Sequence, residues 1–105
     1  MNKSELFAPA NLVQYQNQAI VSQRILENAS GGITVFAFDK DQRFSEHSAP
    51  FDATIFILEG KAEIKIAGIS HHLSSNEMII MPANVPHAVY ASEQFKMLLI
   101  MVKGS

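Results

Sequence analysis

The 105-residue chain contains no cysteine. That absence excludes disulfide frameworks, thiolate metal sites and cysteine nucleophiles, and it accords with a cytoplasmic protein. Excess positive charge is missing as well. Eight Lys and Arg stand against ten Asp and Glu, a formal charge of −2, so the basic field that holds nucleic acid is not there. The N-terminal MNKSELFAPANLVQ lacks the apolar core of a secretory signal, and no stretch approaches the roughly 20 apolar residues of a membrane span. Neither nucleic acid nor a membrane is therefore an expected partner. The chain also has no internal repeat, no low-complexity segment, no glycine-rich phosphate loop and no nucleophile elbow around Ser45, His47 and Ser48.

What the chain has is apolar residues, 48% of the total. Its length suits one domain, and a domain this short buries only about 60–70% of its unfolded surface. Either the core is dense or some apolar surface is covered by a partner. Residues 1–18 are polar and mixed and read as an N-terminal arm; residues 19–105 read as a single domain. Within that domain, short apolar runs alternate with turn signals. The runs are 19–26, 32–38, 53–59, 61–67, 69–73, 77–81, 87–91 and 95–102, broken by segments such as Ser30-Gly31-Gly32, Asp39-Lys40-Asp41 and Pro82-Ala83-Asn84-Val85-Pro86. About eight closely spaced strands predict an all-β, antiparallel sandwich or barrel. KAEIKIA (61–67) alternates and has one wet face. ATIFIL (53–58) and MLLIM (97–101) are apolar on both faces, which predicts a sheet covered on both sides, one of them by a second subunit in a homodimer.

Two stretches, His47 to Gly60 and Asn76 to Ala91, resemble the paired motifs of the cupin superfamily, small jelly-roll β-barrels. The family's first motif places a glycine, two histidines, a glutamate and a closing glycine. Anchored on Gly60, those positions hold Asp41, His47, Ala49, Ala53 and Gly60. A one-residue-longer spacing would put Glu46 and Ser48 at the histidine positions and is less favoured. The second motif places a glycine, a Pro-x-Gly, a histidine and an asparagine, here Asn76, Pro82, Asn84, His87 and Ala91. The resemblance covers about residues 32–102 and implies a cupin-type jelly-roll β-barrel of antiparallel strands behind the N-terminal arm. Asn84 suits a left-handed turn. Gly60 is expected to close a hairpin between 53–59 and 61–67.

The resemblance also implies a divalent metal site for iron, manganese, nickel or zinc, built from three histidines and a glutamate. Only His47 and His87 match that set, so the metal is either held by a reduced site or not required. Two neutral imidazoles satisfy neither the charge nor the coordination number of a divalent ion. A third ligand would come from His71, His72 or Asp52. Alternation directs one of His71 and His72 inward, and it turns Asp52 away from the face shared by His47, Ala49 and Ala53 unless a bulge near Pro50 re-aims it. The plainer alternative for His47 and His87 is a hydrogen-bonded pair at the barrel mouth. Alanine at positions 49 and 53 leaves apolar space, and Ile55 and Ile57 continue that wall, so Ala49, Ala53, Ile55 and Ile57 are the expected lining of a ligand pocket. Phe36, Phe38, Met78, Met81, Met97 and Met101 are further candidate liners, whereas Tyr90 points the other way by parity with His87. The favoured function is small-molecule binding in the barrel. The alternative is a metal-dependent dioxygenase or isomerase that uses His47 and His87 with a third ligand.

Overall fold

Strands β1 (Ile20–Asn28), β2 (Gly31–Phe38), β3 (Arg43–His47), β4 (Asp52–Ile66), β5 (Ile69–Ser74), β6 (Met78–Met81), β7 (His87–Tyr90) and β8 (Phe95–Val102) follow a short 3₁₀ turn at Pro9–Leu12. The structure, a computed structural model, describes residues 2–104. All strand pairs are antiparallel. One sheet runs β1-β2-β8-β4-β6, and the other runs β3-β7-β4-β5. No helix among the described residues is long and apolar enough to cross a membrane.

Strand β4 belongs to both sheets. Its first half pairs with β8 and β6, its second half with β7 and β5. The expected hairpin at Glu59-Gly60-Lys61 is therefore absent: the chain runs straight on and turns the corner between sheets instead. A register shift between Ile57 and Glu59 marks the bend, and Gly60 takes φ +79°. A Cβ there would lie 2.2 Å from the Gln94 carbonyl oxygen and 2.8 Å from Phe95 Cα, so only glycine lets the two backbones approach this closely. The bend also reverses parity. Ala53, Ile55 and Ile57 point into the core before it, Ala62 and Ile64 after it. Strand β3 had no apolar run to announce it, since Phe44 is the one apolar side chain in RFSEH.

The core lies between the two sheets. Ile55, Ile57, Met97, Phe38 and Phe95 from one side meet Ala62, Ile64, Leu73 and Val89 from the other. Phe38 and Phe95 stack at 4.6 Å, and Phe44 meets Phe38 edge-on at 4.9 Å.

A second, smaller core sits outside the barrel. Val13 of the arm packs with Val35 and Ala37, flanked by Leu12, Tyr15, Leu58 and Leu98. The outward-facing apolar residues of β4 and β8 are thus covered in part by the chain's own arm. Buried Lys96 fastens it by donating to the Ala10 carbonyl at 2.7 Å, while Tyr15 donates to Glu59 at 2.7 Å and the Lys96 ammonium lies 5.1 Å from the Tyr15 ring centre. Burial, followed by the hydrogen bond to the Glu59 carboxylate, pushes the Tyr15 phenol well above its usual pKa.

Candidate functional site

His47, the last residue of β3, and His87, the first of β7, are a directly opposed pair in the β3–β7 ladder. Their ring planes cross at 71°, with centres 4.4 Å apart and the two Nε2 atoms 3.2 Å apart. The other nitrogens are committed. Nδ1 of His47 lies 2.8 Å from the Ser45 carbonyl oxygen, and Nδ1 of His87 lies 3.2 Å from that of Val85. A carbonyl only accepts, so each Nδ1 carries the hydrogen and each neutral ring directs a bare Nε2 lone pair at the other. His87 is buried, and burial holds its pKa below the ordinary histidine value; positive charge on His47 adds to the effect, and the Val85 carbonyl opposes it.

The pair stands at a cavity of about 280 Å³. Its remaining walls are Phe44, Phe51, Ala49, Ala53, Ile55, Val89, Leu99 and three methionines, Met81, Met97 and Met101, so among the described residues the histidines are its only polar lining. A larger depression of about 420 Å³ lies on the outer face of the second sheet, along Arg43, Glu46, Glu63, Lys65 and Tyr90. Its charges of both signs are solvated, so the mostly apolar histidine cavity is the stronger candidate.

Of the pocket residues expected from the strand pattern, Ala49, Ala53 and Ile55 line the cavity. Ile57 does not: it is fully buried in the core, because the corner at Gly60 carries the strand past the cavity. Met81, Met97 and Met101 are present, whereas Phe36 and Phe38 lie outside the lining and Met78 faces solvent, 56% exposed. Tyr90 points outward and donates to Asp41 at 2.7 Å. Val89 and Leu99 went unforeseen, though each shares parity with a recognised neighbour, His87 and Met97. Phe44 and Phe51 had no such signal.

Sequence comparison agrees with this geometry. A cupin-domain family model matches residues 34–103. The chain belongs to the cupin superfamily. A conserved protein of unknown function from Streptococcus pyogenes is 36% identical, with a TM-score of 0.94, over 100% of this cupin and 92% of that chain. A cupin 2 conserved barrel domain protein from Leptotrichia buccalis is 37% identical with a TM-score of 0.87; 90% of this cupin is covered, but only 46% of that longer chain. A cupin superfamily protein from Desulfitobacterium hafniense shares the fold at 23% identity and a TM-score of 0.91, over 99% and 95% of the two chains. No curated protein matches this cupin.

Backbone geometry supports the motif register. The four cupin glycine positions hold Asp41, Gly60, Asn76 and Asn84, and all four are left-handed, with φ of +70°, +79°, +69° and +65°. Asp and Asn are the side chains that best tolerate that region, so three glycines are replaced without changing the turns. Glycine survives where a Cβ would strike a neighbouring strand. The loop carrying Asn84 is tied to the cavity mouth by its N–H donating to the Ala49 carbonyl at 2.7 Å.

The cupin's divalent-metal ligand set is not assembled. Among the described residues, no three His, Asp or Glu side chains converge. Asp52 is exposed and accepts from the Ala83 N–H at 2.8 Å, where it steadies the β6–β7 loop. His71 shares the inner face of Ile64 and His72 the outer face of Glu63; both sit on β5, beyond β4 from the β7 histidine, and neither lines the cavity. The residues present do not fit a three-histidine, one-carboxylate site.

Proposed function

We propose that this cupin binds a small, largely apolar organic molecule inside the barrel, with the histidine pair as the only polar handle. The observation that carries this reading is the largely apolar, partly open cavity of about 280 Å³ with His47 and His87 in its lining. Alanine at positions 49 and 53, where cupin ligands would stand, creates the space. Because both Nδ1 hydrogens are spent on backbone carbonyls, the pair accepts and does not donate. The favoured ligand therefore has an apolar body and one hydrogen-bond donor, such as a phenol or an alcohol.

Phenol and toluene are suitable probes, being alike in size and differing in the hydroxyl. Amide chemical-shift titration should show phenol perturbing β3, β7 and β8 residues around the cavity, with toluene binding more weakly. Ala53→Leu fills the space and should abolish both responses. Phenol perturbations that scatter over the outer surface, or that survive Ala53→Leu, would remove the basis for this function.

We also propose that the cupin is a homodimer. Leu26, Ile33, Ile100, Thr54 and Ile80 form one row across the outer face of the first sheet, next to a row of Val35, Leu98, Phe56 and Met78. Leu26, Met78 and Ile80 are 49%, 56% and 62% exposed, which makes a continuous apolar strip beyond the part the arm covers.

A further inference from the structure

Strands β4 and β8 build one wall of the cavity together. Met97, Leu99 and Met101 of β8 line it, as do Ala53 and Ile55 of β4. Ala53 stands opposite Met101 and Ile55 opposite Leu99, and the ladder ends at the pair Asp52 and Val102. One step further, alternation places Phe51 opposite Lys103 on the same inward face. Phe51 does line the cavity, and the Lys103 ammonium lies 5.5 Å from the centre of its ring. The β8 series runs from fully buried Met97 to exposed Lys103, so Lys103 marks the open edge of this wall. Its backbone is held there, with its N–H donating to the Ser30 carbonyl at 2.8 Å. Among the described residues, no carboxylate forms an ion pair with its ammonium. Asp52, the nearest acidic residue in the ladder, has the opposite parity and accepts from the Ala83 N–H.

We propose that Lys103 determines specificity by selecting ligands that bear a carboxylate, so that the molecule held in the barrel is a hydroxyaryl carboxylate. Its aromatic body fills the apolar cavity, its hydroxyl donates to the histidine pair, and its carboxylate meets Lys103 at the rim. This inference rests on the organic-ligand reading of the cavity and narrows it. A cation at the exposed end of an otherwise apolar wall suits an amphipathic acid, whose charge stays in water while its body is buried. The Phe51 ring attracts the ammonium toward the cavity wall and accepts none of its three N–H donors in a conventional hydrogen bond, so they remain available to a carboxylate. A single lysine balances one negative charge, which suits a carboxylate better than a phosphate. The chain's net charge is −2, which repels anions in general, so a preference for acids must arise locally.

The test is backbone chemical-shift titration of the whole chain at low ionic strength. The probes are p-hydroxybenzoate, p-hydroxyphenylacetate and p-hydroxyphenylpropionate, each against its carboxamide, which keeps the shape and the hydroxyl but lacks the charge. Their graded tether lengths sample different spans from the histidine pair to the rim. At least one acid should bind about threefold or more tightly than its carboxamide, within the range that an exposed ion pair supplies. Its perturbations should include Phe51 and Lys103, and high salt should abolish the difference. Lys103→Met keeps an apolar stem over Phe51 and should bring acid and carboxamide to equal affinity, and Lys103→Glu should reverse their order. Should phenol and the carboxamides bind in the cavity while no acid exceeds its carboxamide, or should the preference survive in Lys103→Met, this proposal is overturned and the organic-ligand reading stands. Should none of the probes bind in the cavity, both fall together.

Discussion

Nε2 of His47 faces Nε2 of His87 at 3.2 Å, and both Nδ1 atoms lie within hydrogen-bond distance of backbone carbonyls, so the pair is held together at the rim of the cavity. Burying His87 in this pair makes stability depend on pH. The folded pKa of His87 is depressed below 6.5, chiefly by burial and then by positive charge on His47. Above pH 6.5 the ring is neutral in both states. As pH falls below that value the unfolded chain takes up a proton that the folded chain resists, so stability declines until pH reaches the depressed folded value. Urea midpoints between pH 7.5 and 5 should fall with acidification, and His87→Phe should flatten the slope. A flat wild-type profile would contradict the assignment.

Gly60→Ala should be among the most damaging single substitutions. Its Cβ would meet the Gln94 carbonyl oxygen at 2.2 Å with φ at +79°. Left-handed strain and overpacking together cost about 2–5 kcal/mol, a large share of the stability of a small domain. Urea unfolding measures it. A change of a few tenths would mean that β4 does not turn its corner here.

Asn84 tests the motif register more gently. Restoring the family's glycine by Asn84→Gly should leave stability within about 0.5 kcal/mol, since both residues accept the left-handed conformation. Asn84→Ala should cost about 1–2 kcal/mol, because alanine pays the full Cβ penalty at φ +65°. Equal midpoints for the two variants would show that the turn relaxes.

Lys96→Met should release the N-terminal arm without unfolding the barrel. It removes the bond to the Ala10 carbonyl and the cation over Tyr15. A hydrogen bond to a charged group contributes about 1.5–3 kcal/mol, so amide exchange in residues 9–15 should quicken by tenfold or more while β7 and β8 stay protected. Uniform loss of protection would place Lys96 in the global fold instead.

Ile80→Glu puts a charge at the β6 end of the exposed apolar strip, on a side chain 62% open to solvent. Sedimentation equilibrium should show the wild type as a dimer and the variant as a monomer with an unchanged melting temperature per protomer. A monomeric wild type would leave the strip without the proposed partner.

Much of this protein was legible residue by residue. Alternation, turn residues and motif spacing are local properties, so they located most strands, placed His47 and His87 at matching motif positions, and identified Ala49 and Ala53 as space where ligands would otherwise stand. Non-local events decided the rest. The two histidines meet because β3 and β7, 40 residues apart along the chain, pair with His47 opposite His87. Gly60 makes a corner rather than a hairpin because the Gln94–Phe95 backbone crosses it, which no neighbour in sequence announces. That corner resets the parity of β4 beyond Ile57, turning Ala62 and Ile64 toward the core, while of the three residues before it Ala53 and Ile55 line the cavity and Ile57 does not. Covering Leu58 and Leu98 with the arm likewise depends on where Lys96 and Glu59 fall in the finished sheet. Side-chain type set what each position offers; strand pairing across long separations set which offers converge.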